Sequence, residues 1–514
     1  MDLIKIPKIS KEECINSFTN YILKDYNYEN LYKLSTIGEL GQKNLRGIAW
    51  KIFMGVLKGH ESLEKWIEDI NYLRAEYKIL SDKIIKQQNF FEEEEDKNKN
   101  KINETKTFKS RGDLTRKDSF MYKPFRLEKE TKKLINLDLD RTFQELELFH
   151  DENIKNKLSH ILFLWNKENS ELGYQQGMND ILSIIFLSLY PYYFPYKNKN
   201  NNIIENIIKL KKIDNDILFK YAEDIYLFFH DEEELESDLF ICFNSVMKKG
   251  IKSLYEFDFE SNENQLNYFQ KYILFKNEYN FEKEELNSPL NLRCTLLIEE
   301  KLKVLDKELY NHFKEIRLDC TIFLQRWLKC VFNREFELKE VLIIWDSVFS
   351  TPDIKKGYNL IKIDLIALSM ILRIRNILLL CDQNQCFMIL LQYPRVESIV
   401  ELIIFSDKLQ EAILDIIEGR RSLFLDNVKN FIINYKNENE KKINNNDILK
   451  NNNIENKNNV LNVNNSDDKE ILPIKSYEEG VERLGNIFTK YHSLMNISDE
   501  KEFLNIIHFF NNYK

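Results

Sequence analysis

The sequence predicts an all-α protein, and two observations support this prediction. The 514 residues include only 13 glycines and 8 prolines, too few for the many tight turns of a strand-rich sandwich. Apolar residues instead recur at helical spacing over long segments. We expect helices at 45–57, 66–85, 154–165, 293–316, 319–333, 338–349, 359–381, 384–393 and 397–416.

The overall composition limits the kind of partner that the protein can bind. Hydrophobic residues make up 43% of the chain, so a large core can be buried. The formal net charge is −9, whereas a non-specific nucleic-acid binder needs a basic surface to neutralise phosphates. We therefore expect no nucleic-acid partner, although the composition still allows a local basic patch.

Several stretches are too rich in Asn, Lys, Glu and Asp to bury enough apolar surface to order themselves. We predict disordered insertions in the helical domain at about 91–118, 197–215 and 254–290. The domain boundaries follow from the same composition changes: a lead-in at 1–29, one helical domain at 30–425, a low-complexity linker at 426–474 and a C-terminal helical segment at 475–514.

The cysteines and the apolar runs suggest a cellular location. The seven cysteines show no Cys-x-x-Cys or histidine-paired spacing, so we expect reduced thiols and no metal site. The apolar run at 181–190 is too short to span a bilayer, and the run at 361–380 contains four charged residues. No signal peptide is evident. We expect a cytoplasmic protein with no direct membrane insertion, which reaches membranes through a partner.

Two short motifs carry complementary chemistry. Residues 135–141 fit I-x-x-D-x-x-R, and residues 174–177 fit Y-x-Q-G. They offer the guanidinium of Arg141, which can neutralise charge on a transferred phosphoryl group, and the carboxamide of Gln176, which can hold an attacking water in line. The adjacent Gln175 could fill the second role as well. These two groups would speed GTP hydrolysis on a GTPase that lacks them.

Three neighbouring residues are candidates for supporting roles. Asp138 precedes Arg141 by three positions, so on a helix the two side chains lie within about 60° of each other and can touch. Asp138 would orient the guanidinium, or form an ordinary structural ion pair, and both roles can hold together. We expect Tyr174 to pack against or orient its loop, and Gly177 to permit a close backbone approach.

The flanking residues predict where each motif lies on its helix. Thr142 and Glu145 have the spacing of a capping box, which predicts a helix that starts just after Arg141. Asn179 or Asp180 could cap the apolar helix that follows the second motif. Both motifs are therefore predicted at loop-to-helix junctions.

Taken in order, these motifs make the chain similar to the TBC-domain Rab GTPase-activating proteins. Residues 135–142 resemble the family's arginine-finger motif, and residues 173–180 resemble its glutamine-finger motif. Residues 236–240 are a weaker match to the acidic, aromatic segment that follows. The family's opening R-x-x-x-W segment and the motifs of its C-terminal lobe also occur in order, at 46–51, 327–328, 334–336 and 344–346.

The resemblance covers about 30–420 and implies a two-lobed helical domain that acts on a Rab-family GTPase. Arg141 and Gln176 would be fingers supplied in trans, so the protein would be an enzyme activator. The chain contains no G-x-x-x-x-G-K-[ST] motif, so we expect it to have no cofactor of its own. GTP and Mg²⁺ would be carried by the partner.

The resemblance also separates structural residues from those that act on the partner. Arg46, Trp50, Trp345 and Asp346 belong to the flanking motifs, and we expect structural roles for them because buried tryptophans supply large apolar area. The wording of several stretches is closest to one subfamily. That likeness implies a late-endosomal Rab as substrate, the retromer coat as a partner, and recruitment to endosomal membrane in vesicle trafficking.

The chain departs from the family's pattern in two respects, and two rival interpretations stay open. Gln144 stands where many family members have proline, and the long insertions are particular to this chain, so substrate preference and partner contacts stay open. The rivals are a scaffold that holds a Rab or retromer without catalysis, and a helical adaptor in which both motifs are incidental. The catalytic interpretation requires Arg141 and Gln176 to lie near each other on one exposed face.

Overall fold

The computed structural model describes residues 3–104, 115–197, 204, 219–259, 262–275, 288–352 and 360–419. Helix is the dominant conformation of these residues, and their β-type pairing is limited to isolated bridges that join Ile4 to Leu146 and Phe194 to Asp231. The predicted all-α class is confirmed. No helix within the described ranges is both long and apolar enough to cross a membrane.

The helices follow one another closely along the chain. Those of the first part are α1 (Lys11–Phe18), α2 (Tyr28–Thr36), α3 (Arg46–Phe53), α4 (Leu63–Glu104), α5 (Thr115–Asp140), α6 (Glu152–Glu168), α7 (Met178–Leu189), α8 (Ala222–Phe229) and α9 (Leu235–Val246). The later ones are α10 (Asn262–Tyr272), α11 (Pro289–Leu296), α12 (Lys307–Glu315), α13 (Thr321–Lys329), α14 (Leu338–Ser350), α15 (Ile361–Arg373), α16 (Arg375–Leu378), α17 (Gln383–Leu391) and α18 (Ile399–Ile417). A three-residue helical segment, Lys303–Leu305, lies between α11 and α12. Each segment predicted from periodicity overlaps at least one of these helices.

The chain folds as two compact units, in agreement with the predicted two lobes. Of the described residues, those within 1–271, 282–290 and 326–363 form the first unit, and those within 272–281, 291–325 and 364–514 form the second. Every residue predicted for the site or for the structural motifs lies in the first unit. In the second unit, Arg293 and Asp364 form a fully buried ion pair with an Nε–Oδ1 distance of 2.7 Å.

Helix α7 is the central element of the first unit. Its sequence is apolar on nearly every side, and such a helix is stable only when neighbours cover it all round. Helices α3, α5, α6 and α9 pack against it, and almost all of its residues are buried. The residues just before α7 are therefore held on a rigid support.

The four residues predicted to be structural meet in one buried cluster. Asp346 is fully buried and accepts hydrogen bonds from Arg46 at 2.8 and 2.7 Å and from Trp50 Nε1 at 2.6 Å. Trp345 stacks on Trp50 with ring centroids 6.0 Å apart, and its Nε1 donates to the carbonyl of Val331. These contacts tie α3 to α14 through partners about 300 positions apart in the sequence.

The first predicted insertion is more helical than its composition indicated. Residues 91–104 continue the backbone of α4, and residues 115–118 begin α5, while 105–114 lie outside the described residues. Lys and Glu have high intrinsic helix propensity, so a polar stretch can extend a helix that is anchored elsewhere. The composition rule concerned the burial of apolar surface, which a helical extension does not require.

The predicted insertion at 254–290 also includes residues that the structure describes. It contains α10, and it also contains Tyr255 and Tyr272, whose side chains are 2% and 1% exposed. Aromatic residues spaced among polar ones bury large areas individually, and averaging the composition conceals this. Residues 260–261 and 276–287 lie outside the described residues.

The other predicted insertion and the C-terminal segments are largely not described. Of residues 197–215, only 197 and 204 are described, and Ile204 is buried. The linker at 426–474 and the segment at 475–514 fall within residues 420–514, outside the described ranges.

Candidate functional site

Arg141 follows the end of a helix and does not precede the start of one. Helix α5 closes at Asp140, and the next turn is tightened by a bond from Arg141 N to the carbonyl of Asp138. Thr142 does not cap a new helix, because its hydroxyl donates to the same carbonyl at 2.7 Å. The predicted capping box at Thr142 and Glu145 is therefore wrong. The free carbonyls of the α5 terminus needed donors, and Thr142 supplies one.

Asp138 and Arg141 form an ion pair whose two members differ sharply in exposure. The Arg141 Nη2 atom donates to Oδ1 of Asp138. The side chain of Arg141 is 56% exposed, whereas that of Asp138 is 2% exposed. The buried carboxylate thus holds an arginine whose guanidinium remains accessible from outside.

The second motif supplies the other half of the support for Asp138. The hydroxyl of Tyr174 donates to Oδ2 of Asp138 at 2.7 Å. Burial, followed by the bond to this carboxylate, raises the pKa of Tyr174, so the hydroxyl stays protonated and remains a donor. The backbone N–H of Tyr174 donates to the side chain of Asn166 at 2.8 Å, which fixes the start of the loop.

The loop at 175–177 presents one glutamine and retains the other. Gln175 donates from Nε2 to the carbonyl of Leu172 at 3.1 Å, so it braces its own loop. Gln176 is exposed and lines the same cleft as Arg141. The motif spacing therefore selected the glutamine that faces the cleft.

Gly177 occupies a position that demands glycine for two reasons. Its φ of +103° lies in the left-handed region, which side chains with a Cβ rarely adopt. A Cβ at this position would also lie 3.1 Å from the hydroxyl of Tyr255. Gly177 is the N-cap position from which α7 starts.

Asn179 joins the two motifs, a role that we did not predict from the sequence. Its Oδ1 accepts from Gly177 N at 3.0 Å, and its Nδ2 donates to Thr142 Oγ1 at 2.8 Å. Asn179 and Asp180, predicted as possible caps, are instead the second and third residues of α7. No sequence signal indicated this bridge, because it depends on a contact between residues 37 positions apart.

Arg141 and Gln176 open onto a single cleft of about 220 Å³. Its lining residues are all polar: Arg141, Thr142, Gln176, Asn179, Asp180 and Arg334. The catalytic interpretation required the arginine and the glutamine to lie near each other on one exposed face, and the structure meets that condition. Arg334 was noted only as part of a family motif, and its place in the cleft was not predicted.

The cleft can bind an anionic group that arrives from outside. Exposed guanidinium groups pair with phosphate or carboxylate oxygens, and a side-chain amide can accept from and donate to a water. Burial raises the pKa of Asp180, while Arg334, at 3.3 Å from Oδ2, opposes that rise. Among the described residues, no group of three or more His, Cys, Asp or Glu side chains could hold a metal ion.

Comparison of the sequence with known proteins identifies a matching domain family and several relatives. The sequence matches the Rab-GTPase-TBC domain over residues 43–280 and 274–379. TBC1 domain family member 5 of Homo sapiens is 26% identical over 381 residues, which cover 71% of this chain and 41% of that protein. Its homolog B in Dictyostelium discoideum is 26% identical over 427 residues, covering 71% of this chain and 40% of that protein.

A third relative is more distant. GTPase-activating protein GYP1 of Saccharomyces cerevisiae is 22% identical over 355 residues, covering 69% of this chain and 44% of that protein. The chain thus spans roughly two fifths of the length of the curated relatives that it matches. The subfamily indicated by the wording of the sequence is that of TBC1 domain family member 5, and the similarity to it is confirmed.

Proposed function

Because the chain belongs to the Rab-GTPase-TBC domain family, we propose that it accelerates GTP hydrolysis by a Rab-family small GTPase, with Arg141 and Gln176 acting in trans. One observation carries the proposal: both side chains are exposed and line one polar cleft. The name of the yeast relative, a GTPase-activating protein, agrees with this activity.

The proposed chemistry assigns a distinct task to each side chain. In hydrolysis, the oxygen of a water forms a bond to the γ-phosphorus, and the bond from that phosphorus to the β–γ bridging oxygen breaks. Arg141 stabilises the negative charge on the transferred group, and Gln176 orients the water for in-line attack. GTP and Mg²⁺ are carried by the GTPase. An arginine finger of this kind contributes roughly 10³–10⁵ in rate.

Asp138 and Tyr174 are positioning residues in this proposal. Asp138 takes one bond from Arg141 and one from Tyr174, so a single buried carboxylate links both motifs. Preorganised donors accelerate a reaction because they need no rearrangement at the moment when charge develops. Gly177 holds the backbone of Gln176 close to the start of α7.

The similarity to TBC1 domain family member 5 supports a narrower version of the proposal. The substrate would be a late-endosomal Rab, and the retromer coat would be a partner. The protein would act from the cytosol on endosomal membranes, to which its partner recruits it, and would regulate vesicle trafficking there.

The rival candidate is a scaffold that binds a Rab or retromer without catalysis. The exposure of both side chains in one cleft favours catalysis, because a scaffold has no chemical need for a paired guanidinium and carboxamide. In the adaptor alternative, nothing would bring the two motifs together.

Hydrolysis of GTP across a panel of purified Rab proteins tests the proposal. The wild-type chain is expected to accelerate at least one Rab, and Arg141→Ala and Gln176→Ala are each expected to lose most of that acceleration. Arg141→Lys is also expected to fail, because an ammonium cannot reproduce the planar fork. Gln175→Ala is the matched control and should retain activity. The dual-finger mechanism would be refuted if the wild type accelerates no Rab. It would also be refuted if both alanine variants accelerate hydrolysis as much as the wild type does.

A further inference from the structure

The cleft contains a second arginine–carboxylate pair that has the same design as the first. Arg334 donates from Nη2 to Oδ2 of Asp180 at 3.3 Å. The side chain of Arg334 is 50% exposed and that of Asp180 is 13% exposed. In the first pair, the corresponding values are 56% for Arg141 and 2% for Asp138. Each wall of the cleft thus presents an accessible guanidinium supported by a largely buried carboxylate.

The two pairs belong to one hydrogen-bond network. Asn179 donates to Oδ1 of Asp180 at 3.0 Å and to Oγ1 of Thr142 at 2.8 Å. Thr142 in turn donates to the backbone carbonyl of Asp138. The side chain that holds Arg334 is therefore connected to the residue that holds Arg141.

The loop that carries Arg334 is firmly built, although the arginine itself is exposed. The preceding residues Val331 and Phe332 have φ values of +46° and +63°, and both are fully buried. Left-handed backbone at bulky residues is costly, so the surrounding packing must fix this conformation. Trp345 contributes to that packing through its bond to the carbonyl of Val331. The backbone that positions Arg334 at the cleft is therefore fixed by packing.

Neutralisation of Asp180 does not by itself account for this arrangement. Asn179 already supplies a hydrogen bond to the other oxygen of Asp180, at 3.0 Å. Arg334 makes one long bond to the carboxylate, whereas a guanidinium carries five N–H donors in a fixed fork. The accessible donors lie at the opening of a cleft whose other accessible cation is Arg141.

We propose that Arg334 is a second arginine of the functional site and binds an oxyanion of the GTPase–nucleotide complex. The oxyanion has two possible sources with the same chemistry, a phosphate oxygen of the nucleotide or a carboxylate of the GTPase. The inference rests on the proposed function. It adds a recognition residue that lies 193 positions after Arg141 (334 − 141) in the chain.

The test measures kcat and KM for GTP hydrolysis on a Rab that the wild-type chain accelerates. Arg334→Gln is expected to lower kcat/KM by roughly 10- to 100-fold, the range for loss of a hydrogen bond to a charged group. Arg334→Lys retains the positive charge beside Asp180. Its kcat/KM is expected to lie between the values of the wild type and Arg334→Gln. Lys339→Gln is the matched control, because it removes one positive charge from a 74% exposed side chain outside the cleft lining.

Two further measurements identify the source of the oxyanion. If it is a nucleotide oxygen, Arg334→Gln lowers kcat and abolishes the complex that forms only with GDP and aluminium fluoride, a mimic of the transferred phosphoryl group. If it is a carboxylate of the GTPase, KM rises while kcat is retained. Either result supports the proposal.

A double variant separates binding from simple neutralisation of Asp180. If Arg334 only neutralises the acid, Asp180→Asn combined with Arg334→Gln recovers the wild-type rate, and the proposal is overturned. If Arg334 binds the oxyanion, the double variant stays slow while its thermal unfolding stays close to that of the wild type. Arg334→Gln activity within twofold of the Lys339→Gln control also overturns the proposal but leaves the proposed function intact. If the wild type accelerates GTP hydrolysis on no Rab, both the Arg334 proposal and the proposed function are overturned.

Discussion

The hydroxyl of Tyr174 and the carboxylate of Asp138 meet at 2.7 Å, and this contact joins the two motifs of the site. The other oxygen of the same carboxylate accepts from Arg141. A residue from each motif therefore acts on one buried acid. The position of Arg141 therefore depends on the loop that presents Gln176. A substitution that disturbs this loop should also displace the arginine.

Replacing Tyr174 by phenylalanine should reveal this dependence. The change keeps the ring but leaves a buried carboxylate with one donor fewer, which costs roughly 1.5–3 kcal/mol in the free energy of unfolding. Acceleration of GTP hydrolysis should fall at temperatures where the variant remains folded, because Arg141 loses its fixed support. Urea titration and kcat on the same preparation give both quantities.

Tyr72→Phe is the matched control for that variant. Tyr72 is 62% exposed and donates to Glu76 on the surface, so its loss should change stability by no more than about 0.5 kcal/mol. Equal effects of the two substitutions would contradict a special role for the bond to Asp138.

Gly177→Ala should damage the glutamine loop more than its backbone angle alone predicts. The left-handed φ of +103° costs about 1–2 kcal/mol for alanine, and the new Cβ would lie 3.1 Å from the hydroxyl of Tyr255. Gly55→Ala isolates the first cost, since Gly55 has φ +80° and no atom within 4 Å of its Cβ position. Differential scanning calorimetry should show the larger loss at Gly177.

A double variant checks the steric part of that prediction. Tyr255→Phe removes the hydroxyl that the new methyl group would meet, and it also removes the hydrogen bond from that hydroxyl to the carbonyl of Lys329. Gly177→Ala should therefore cost less stability in the Tyr255→Phe background than in the wild type. If Gly177→Ala and Gly55→Ala reduce the free energy of unfolding equally, the close approach to Tyr255 does not contribute to stability.

How much of the site could be predicted depended on how far apart the contacting residues lie in the sequence. Arg141, Asp138, Tyr174 and Gln176 were predicted because each motif is short and because the resemblance to the TBC-domain family assigned the arginine and the glutamine their roles. The bridge from Asn179 to Thr142 and the pair formed by Asp180 and Arg334 depend on separations of 37 and 154 positions, which periodicity and spacing do not encode.

The fold was predicted in its class and in most of its helices, but not at their ends. The helix preceding Arg141 was misjudged because Thr142 and Glu145 match a capping box as well as they match a chain leaving a helix. A short polar motif does not distinguish the start of a helix from its end. The same threonine can donate to the last carbonyl groups of one helix or accept from the first amide groups of the next. In this structure the threonine donates to a carbonyl at the end of α5, a helix that buries Ile135 and Leu139.

Asp346→Ala should destabilise the protein without entering the chemistry of the cleft. The carboxylate is fully buried and accepts three hydrogen bonds, so its removal leaves the guanidinium of Arg46 without a counter-charge at a largely buried position. Breaking a buried ion pair on one side costs about 3–5 kcal/mol. The free energy of unfolding from urea titration measures it.

The control for this substitution is Glu147→Ala, in an exposed pair with Lys5 at 3.5 Å, which should cost at most about 1 kcal/mol. At low temperature, where Asp346→Ala remains folded, its kcat should stay near the wild-type value. A large fall in kcat with unchanged stability would contradict the structural role of Asp346.

Stability at acid pH should depend on Asp238, the buried acid of a second charged cluster. Its oxygens accept from Arg74 at 2.7 Å and from Lys51 at 2.8 Å. Burial alone would raise the pKa of Asp238, but the positive charges of Arg74 and Lys51 outweigh burial and hold the pKa below its ordinary value. The stabilisation is therefore fully present above the unfolded-state pKa of about 3.9 and is lost as pH falls towards the folded-state pKa.

Urea titrations of the wild type and Asp238→Asn at pH 7, 5, 4 and 3 test this prediction. The variant should be less stable at pH 7 and should lose less stability than the wild type between pH 5 and pH 3. Burial also depresses the pKa of His230, which destabilises both proteins below about pH 6.5. Because the charge of Asp238 opposes that depression, the difference between the two proteins reports Asp238 together with its effect on His230. Asp258→Asn, at an exposed position, should follow the wild-type profile. Parallel pH profiles for wild type and Asp238→Asn would show that Asp238 is not held ionised by Arg74 and Lys51.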